Sequence, residues 1–322
     1  MRQWLRYRLL LALTCLLPVA LAADTFDPGW APFVVTVASR TAEKTIPHRE
    51  FALFHLPGED VTIRVAGASS GEYRLLLDGA ELNEEAPGGW RWSAPGVAGL
   101  SRAEITHRSG ETMHLNLFVQ RPLSDVKDGY LNGYRIGHYP KPAVGAPAFH
   151  QPPLGLIEVT EDLLDVQVSP HFTLGQFLCK QQPDHWPKYL ALQPPLVIKL
   201  ELLLEEVNRR GIRTDSLFVM SGYRTPWYNR SIGNVPFSRH VWGAAADIFI
   251  DTKGDGRMDD LTGNGSSGLT EARILQRIVA ETFADPPSPR LVGGLGLYGP
   301  RPHRGPFIHV DVRGEEARWE IP

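Results

Sequence analysis

The hydrophobic period of this 322-residue chain changes once, and that change constrains its fold more than any other feature. Between residues 30 and 120 the apolar residues come in short runs: FVVTVASR, REFALFHL, DVTIRVAG, EYRLLLDG, GWRWSAP, RAEITHR and MHLNLFVQ. Most alternate apolar with polar, and turns rich in Gly, Pro, Ser and Glu separate them. A period of two turns one face of a strand to a core and the other to water. Runs of this number and spacing predict an all-β sandwich, immunoglobulin-like in outline. Further along, PPLVIKLELLLEEVNRRG and TEARILQRIVAETFA carry apolar residues at helical spacing. The first has Pro near its start and Gly211 as a stop, so both predict helices. DSLFVMSGYR reads as a buried strand ending in a polar turn, and GAAADIFID, GGLGLYG and GPFIHVDVRG read as three more strands. Helices and strands do not alternate regularly, which predicts an α+β domain on a central antiparallel sheet flanked by helices.

Between the two patterns, GYLNGYRIGHYPKPAVGAPAFHQPPLG is dense in Pro, Gly and Tyr without a clear period. It predicts an ordered connecting segment wrapped over the next domain, since a flexible linker would carry fewer aromatics. The chain start reads as an export signal. Arg2, Arg6 and Arg8 precede LLLALTCLLPVALA, an apolar run too short for a membrane span that ends in small residues. Cleavage after Ala22 and after Ala23 fit equally, and Thr14 before Cys15 argues against lipid attachment. The expected organisation is therefore signal peptide 1–23, β-sandwich 24–120, connecting segment 121–169 and α+β domain 170–322. The mature protein is expected in the periplasm, with no transmembrane anchor.

Loss of the three signal arginines takes the formal charge from −3 to −3 − 3 = −6. With no basic run, nothing points to a nucleic-acid partner. Cys15 leaves with the signal, so Cys179 has no partner for an internal disulfide and stability must come from burial. Cys179 itself, in FTLGQFLCK, reads as a small buried apolar residue and not as a nucleophile. His48, His55, His107 and His114 are scattered singly through the predicted sandwich and read as structural or solvent-facing.

The chemistry gathers near the C-terminus. His309 and Asp311 share one face of the strand PFIHVDVR, while Ile308 and Val310 take the other. In SRHVWGAAADIFID, His240 precedes a strand that Asp247 begins. Two imidazoles and a carboxylate form a three-ligand set suited to Zn²⁺, with one position left for water. Ala244, Ala245 and Ala246 keep the connection between ligands compact. Spacing alone leaves a second reading open, in which each residue is a satisfied structural group.

SRHVWGAAADI matches the S-x-H-x-x-G-x-A-x-D pattern of zinc D-Ala-D-Ala peptidases. FIHVDVRG resembles the strand carrying their last zinc histidine, and SGYRTPWYN (221–229) resembles their upstream Ser-Gly-Tyr-Arg turn. The three occur in the family's order over residues 170–318. The GGLGLY…FIHVD ending resembles the murein endopeptidase branch of the M15 clan, whose fold is shared with Hedgehog-type domains. The resemblance implies an exported zinc peptidase acting on peptidoglycan stem peptides or cross-links, of D,D or L,D type. It implies His240, Asp247 and His309 as zinc ligands, and Arg224 as the cation for the substrate carboxylate or the developing oxyanion. Ser238 would orient substrate or cap the ligand loop, and Tyr223 would line the cleft or fill the core.

One departure stands out. Many members of the clan place an acidic general base three residues before the final histidine, and here that residue is Pro306. His303, on the loop entering the strand, is the alternative base, and Asp311 is better placed as a partner of a ligand. This gap keeps a second function in view, a non-catalytic zinc-containing protein that binds peptidoglycan. An exported peptidase for other peptides is a third. Finally, in DTKGDGRMDDLT (251–262), Asp251, Asp255, Gly256 and Asp259 match positions 1, 5, 6 and 9 of a calcium loop. Lys253 and Thr262 depart from it, so weak Ca²⁺ binding and a plain acidic turn both fit.

Overall fold

A computed structural model describes residues 26–40, 42–144 and 150–322. The expected signal peptide, with Cys15 and both cleavage positions, lies outside the described residues. All seven short runs form strands, and they build two sheets. In spatial order, one holds Glu43–His48, Trp30–Ala38, Asp60–Val65 and Gly89–Ser93. The other holds Glu50–His55, Thr112–Val119, Gly99–His107, Tyr73–Leu77 and Ala80–Glu81. Pairing is antiparallel except where Glu50–His55 runs parallel to Thr112–Val119. Alternation works as expected: Val35, Val37, Val61 and Ile63 from one sheet share a core with Leu53, Leu75, Ile105 and Leu115 from the other.

The segment after residue 120 is more than a connector. Arg121–Pro122, Gly155–Val159 and Lys188–Leu190 form a three-stranded sheet. The rest lies over the next domain through specific bonds. The Trp227 N–H donates to the Ile136 carbonyl, and the Trp242 indole donates to the Gln151 carbonyl. The Tyr139 and Tyr223 hydroxyls hydrogen-bond to each other at 2.8 Å.

Helix α1 (Pro194–Arg209) starts with its prolines where missing N–H groups cost nothing, and Gly211 beyond its end adopts φ 85°. The short α2 (Pro226–Ser231) is capped by Thr225, whose Oγ1 accepts the Tyr228 N–H. In α3 (Leu269–Thr282), the buried Glu271 carboxylate reaches back to accept the Gly268 N–H. The C-terminal sheet has the order Phe218–Ser221, Ala245–Phe249, Phe307–Asp311, Gly294–Tyr298, Ala317–Ile321. It is antiparallel apart from the last pair, which is parallel. Ile308 and Val310 are buried on one face, and α3 packs against the two strands Gly294–Tyr298 and Phe307–Asp311. The opposite face carries the polar residues described below. One strand departs from expectation: Phe218–Ser221 is a partly exposed sheet edge, with Phe218 39% exposed, and not a buried strand. Its run of apolar residues covers Phe249, on which Phe218 stacks at 4.6 Å.

Among the described residues, no helix is long and apolar enough to cross a membrane.

Candidate metal centre

Register decides which side chains meet. Asp247 pairs directly with His309 across the antiparallel strands, so both project from one face side by side. Ser221 pairs with Asp247 on one side, after a register shift beyond Val219. On the other side Gly296 pairs with His309, and Trp319 pairs with Gly296. One row across the sheet therefore reads Ser221, Asp247, His309, Gly296, Trp319. Gly296 leaves room for the Trp319 indole, whose centroid lies 5.1 Å from that of His309.

His240 reaches this row from outside the sheet. It sits in the 3-10 turn Arg239–Trp242, which ends at Gly243 with φ 63°. A Cβ at Gly243 would collide with the Ala191 carbonyl, and the Gln193 N–H donates to the Gly243 carbonyl. The turn is thus pressed against the backbone that leads into α1. Ala244, Ala245 and Ala246, all buried, carry the chain straight from this turn to Asp247.

Three ligand atoms converge. His240 Nε2 stands 3.2 Å from Asp247 Oδ1 and 3.2 Å from His309 Nδ1, and His309 Nδ1 stands 2.9 Å from Asp247 Oδ1. Tetrahedral bonds of about 2.0–2.1 Å require ligand atoms about 3.3 Å apart, so the cluster needs only slight expansion to take a zinc ion. The other nitrogen of each imidazole is engaged. His240 Nδ1 donates to the Gly222 carbonyl at 2.7 Å, and His309 Nε2 donates to Asp311 Oδ2 at 3.0 Å. Each bond turns the remaining nitrogen of its ring toward the centre. Among the described residues this is the one group of three or more His, Cys, Asp and Glu side chains that could hold a metal. The residues present fit zinc.

Behind the ligands lies a second set of polar contacts. Asp311 is fully buried, accepts the Gly294 N–H at 2.7 Å and pairs with Arg313 at 2.6 Å. Burial opposes its charge, but the hydrogen bonds from His309 and Arg313 hold its carboxyl far below the usual carboxylate range. Lys199 of α1 donates to the Asp311 and Leu291 carbonyls, and burial pushes its ammonium down to about 8. Burial also lowers His240. At His309 burial acts the same way, but hydrogen bonds to Asp247 and Asp311 outweigh it and raise the imidazole. Asp247 is driven well below its ordinary value, because the charge and hydrogen bond of His240 overcome its burial.

Arg224 is committed to the ligand shell. Its Nη2 pairs with Asp247 Oδ2 at 2.5 Å and its Nε donates to Ser221 Oγ at 2.9 Å. Ser238 is buried at the head of the 3-10 turn, where its side chain makes no capping bond. Tyr223 is 1% exposed, bonded to Tyr139, and its phenol is pushed up by burial, as a core aromatic is. His303 is exposed on the turn between Arg301 and Arg304, and lines a cavity of about 630 Å³ shared with the acidic loop. In that loop the expected calcium ligands do not converge. Asp251 accepts the Asp255 and Gly256 N–H groups, Asp255 accepts the Arg257 N–H, and Asp259 accepts from Thr252. Backbone amides donate to these carboxylates, and Lys253 approaches Asp259 from the side.

Several residues of this face escaped the sequence reading: Ser221, Arg304, Trp319 and Arg313. Glycines at 294 and 296, alternating along one strand, were the available signal that something large crosses that face.

Residues 170–264 match the family model described as Peptidase M15. No curated protein matches the chain, and no solved structure does. The match covers Arg224, His240 and Asp247 and stops short of His309, which strand pairing alone brings to the cluster. Residues 170–264, which hold His240 and Asp247 of the buried His-Asp-His cluster, are thus similar to the peptidase M15 family.

Proposed function

We propose that this protein is an exported zinc peptidase that hydrolyses amide bonds in the stem peptides or cross-links of peptidoglycan. The observation that carries the reading is the convergence of His240 Nε2, Asp247 Oδ1 and His309 Nδ1, on one sheet face, in a part of the chain that matches the M15 family. Zinc bound there supplies a Lewis acid that polarises an amide carbonyl and lowers the pKa of water. The protein's own groups do the rest. The Gly222 carbonyl and Asp311 orient the two imidazoles, and Arg224 with Ser221 holds Asp247. Trp319 screens His309 from water on one side. The β unit is read as an immunoglobulin-like sandwich of a separate domain, ending near residue 120.

A second reading draws on Pro306 and on the commitments of the nearby carboxylates. Asp247 and Asp311 are both engaged, with Arg224 and Arg313 respectively, so neither is a free base. In that reading the protein binds peptidoglycan peptides through zinc without cleaving them. Product masses decide between the two. Purified cross-linked peptidoglycan fragments are incubated with the zinc-loaded protein before and after chelation. Chelator-sensitive products, absent with His240→Ala, support the peptidase. Retention of the fragments without any new mass supports the binding protein.

A further inference from the structure

Arg304 lies beside the site without a carboxylate at hydrogen-bonding distance among the described residues. Arg224 pairs with Asp247 and Arg313 pairs with Asp311. Arg304 is half-buried, and its hydrogen bonds go to the carbonyls of Gly299 and Gly305. Among the described residues no carboxylate pairs with it. Its partners are these carbonyls and two aromatic rings, which leaves its charge available to an anionic ligand.

Its position is fixed by aromatic packing. Tyr298 and Phe307 lie opposite each other on adjacent strands and stack at 4.6 Å with planes 6° apart. The Arg304 guanidinium rests on Phe307 at 4.6 Å from the ring centroid, and on the Tyr298 side at 5.9 Å. Phe307 is two residues before His309, hence on the same face of the same strand. Arg304 therefore lies over the residue that neighbours His309 on that face of the strand. Burial and the like charge of Arg301 disfavour its cation, while the Asp247 charge reaches it across the site. The same side chain lines the cavity of about 630 Å³ that also holds Arg301 and His303. In that cavity the acids Asp255, Asp259 and Asp260 accept hydrogen bonds from their own loop.

The turn explains the choice of residue. Arg301 and Arg304 exchange backbone hydrogen bonds at 2.8 and 3.1 Å, closing a tight loop that leaves His303 in solvent and folds Arg304 back over the sheet. Resting on the peptidase reading above, the geometry points to Arg304 as the residue that binds a free carboxylate of the peptide substrate, with the adjoining cavity receiving that end of the peptide. Arg224, paired with Asp247, is a separate cation of the same face.

The test compares Nα-acetyl-L-Lys-D-Ala-D-Ala with its C-terminal carboxamide, using the full zinc-loaded protein. Equilibrium binding and hydrolysis are both measured for wild type, Arg304→Gln and Arg304→Lys. The proposal expects wild type to bind the acid about 10- to 100-fold more tightly than the amide, the range of a hydrogen bond to a charged group. Arg304→Gln loses that ratio through the acid alone, and Arg304→Lys keeps part of it. Unchanged thermal unfolding shows that the variants are folded. Acid and amide bound alike by wild type, or a ratio unchanged in Arg304→Gln, overturns the proposal. If the acid binds through Arg304 and neither peptide is cleaved, the carboxylate site stands and the peptidase reading is what fails for this substrate.

Discussion

At Gly296 any side chain would have to occupy the space that the Trp319 indole fills. The indole in turn donates to the Tyr298 hydroxyl at 3.0 Å and lies tilted against His309. Gly296→Ala is therefore expected to cost about 1–3 kcal/mol, the usual range for overpacking. Urea unfolding of the two proteins measures it. A variant as stable as wild type would show that the indole moves aside freely and does not hold His309 in place. At this scale the grouping of His240, Asp247 and His309 was legible through the resemblance of their motifs to zinc peptidases, since spacing alone left a structural reading open. Arg304 was not legible, since nothing in its neighbours' spacing shows that its turn folds back. His303 stands on the same turn, exposed to solvent. Adjacent residues on one turn point in different directions, and the sequence does not say which of them faces the sheet.

At the scale of elements, the 3-10 turn Arg239–Trp242 does the most for the site, because it brings His240 to ligands that belong to strands. Its closure depends on Gly243, which combines a left-handed φ of 63° with direct backbone contact to Ala191. A Cβ there meets a carbonyl that cannot move without shifting the start of α1. Gly243→Ala is expected to cost more than about 3 kcal/mol, above the roughly 1 kcal/mol of a left-handed residue alone. It should also weaken zinc binding in competition with a chelator. A small stability loss with unchanged zinc affinity would mean that His240 is positioned by other contacts. Strands with clean alternation were readable throughout. Glu43–His48 was missed because EKTIPH carries Lys44 and Pro47, and Pro is tolerated at such a sheet edge. Gly155–Val159 was hidden inside a Pro- and Gly-rich stretch.

At the scale of the whole molecule, the β unit touches the chain that leads into the α+β part. Asn116, held by Glu50 within the β unit, donates to the Gln167 carbonyl, and Pro170 packs against Gly29. His48 sits close to this junction, stacked on Trp30 at 4.8 Å, with its Nδ1 buried and unpaired among the described residues. Burial pushes its pKa down to about 4, against Glu201, which opposes the shift. The unfolded chain therefore takes up a proton near pH 6.5 that the folded protein refuses until about pH 4. No penalty exists above about pH 6.5. It grows as pH falls and saturates below about 4 at an order of magnitude of 3 kcal/mol. Denaturation at pH 7 and pH 4.5 should show a smaller acid-induced loss in His48→Phe than in wild type, whatever the variant costs at pH 7. Equal losses would place the acid sensitivity elsewhere. The order of the two main parts was legible from the single change of period. Their docking was not, because it rests on lone polar bonds and on one proline, which leave no periodic trace.

The central claim is that one zinc ion is held by His240, Asp247 and His309. The most direct test is metal stoichiometry by elemental analysis on wild type and on His240→Ala, Asp247→Ala, His309→Ala, His303→Ala and Asp255→Ala. The account predicts one zinc per chain in wild type, loss of it in the first three variants, and retention in the last two. Stoichiometric zinc in the three cluster variants, or zinc lost with Asp255→Ala and kept with His309→Ala, would contradict it.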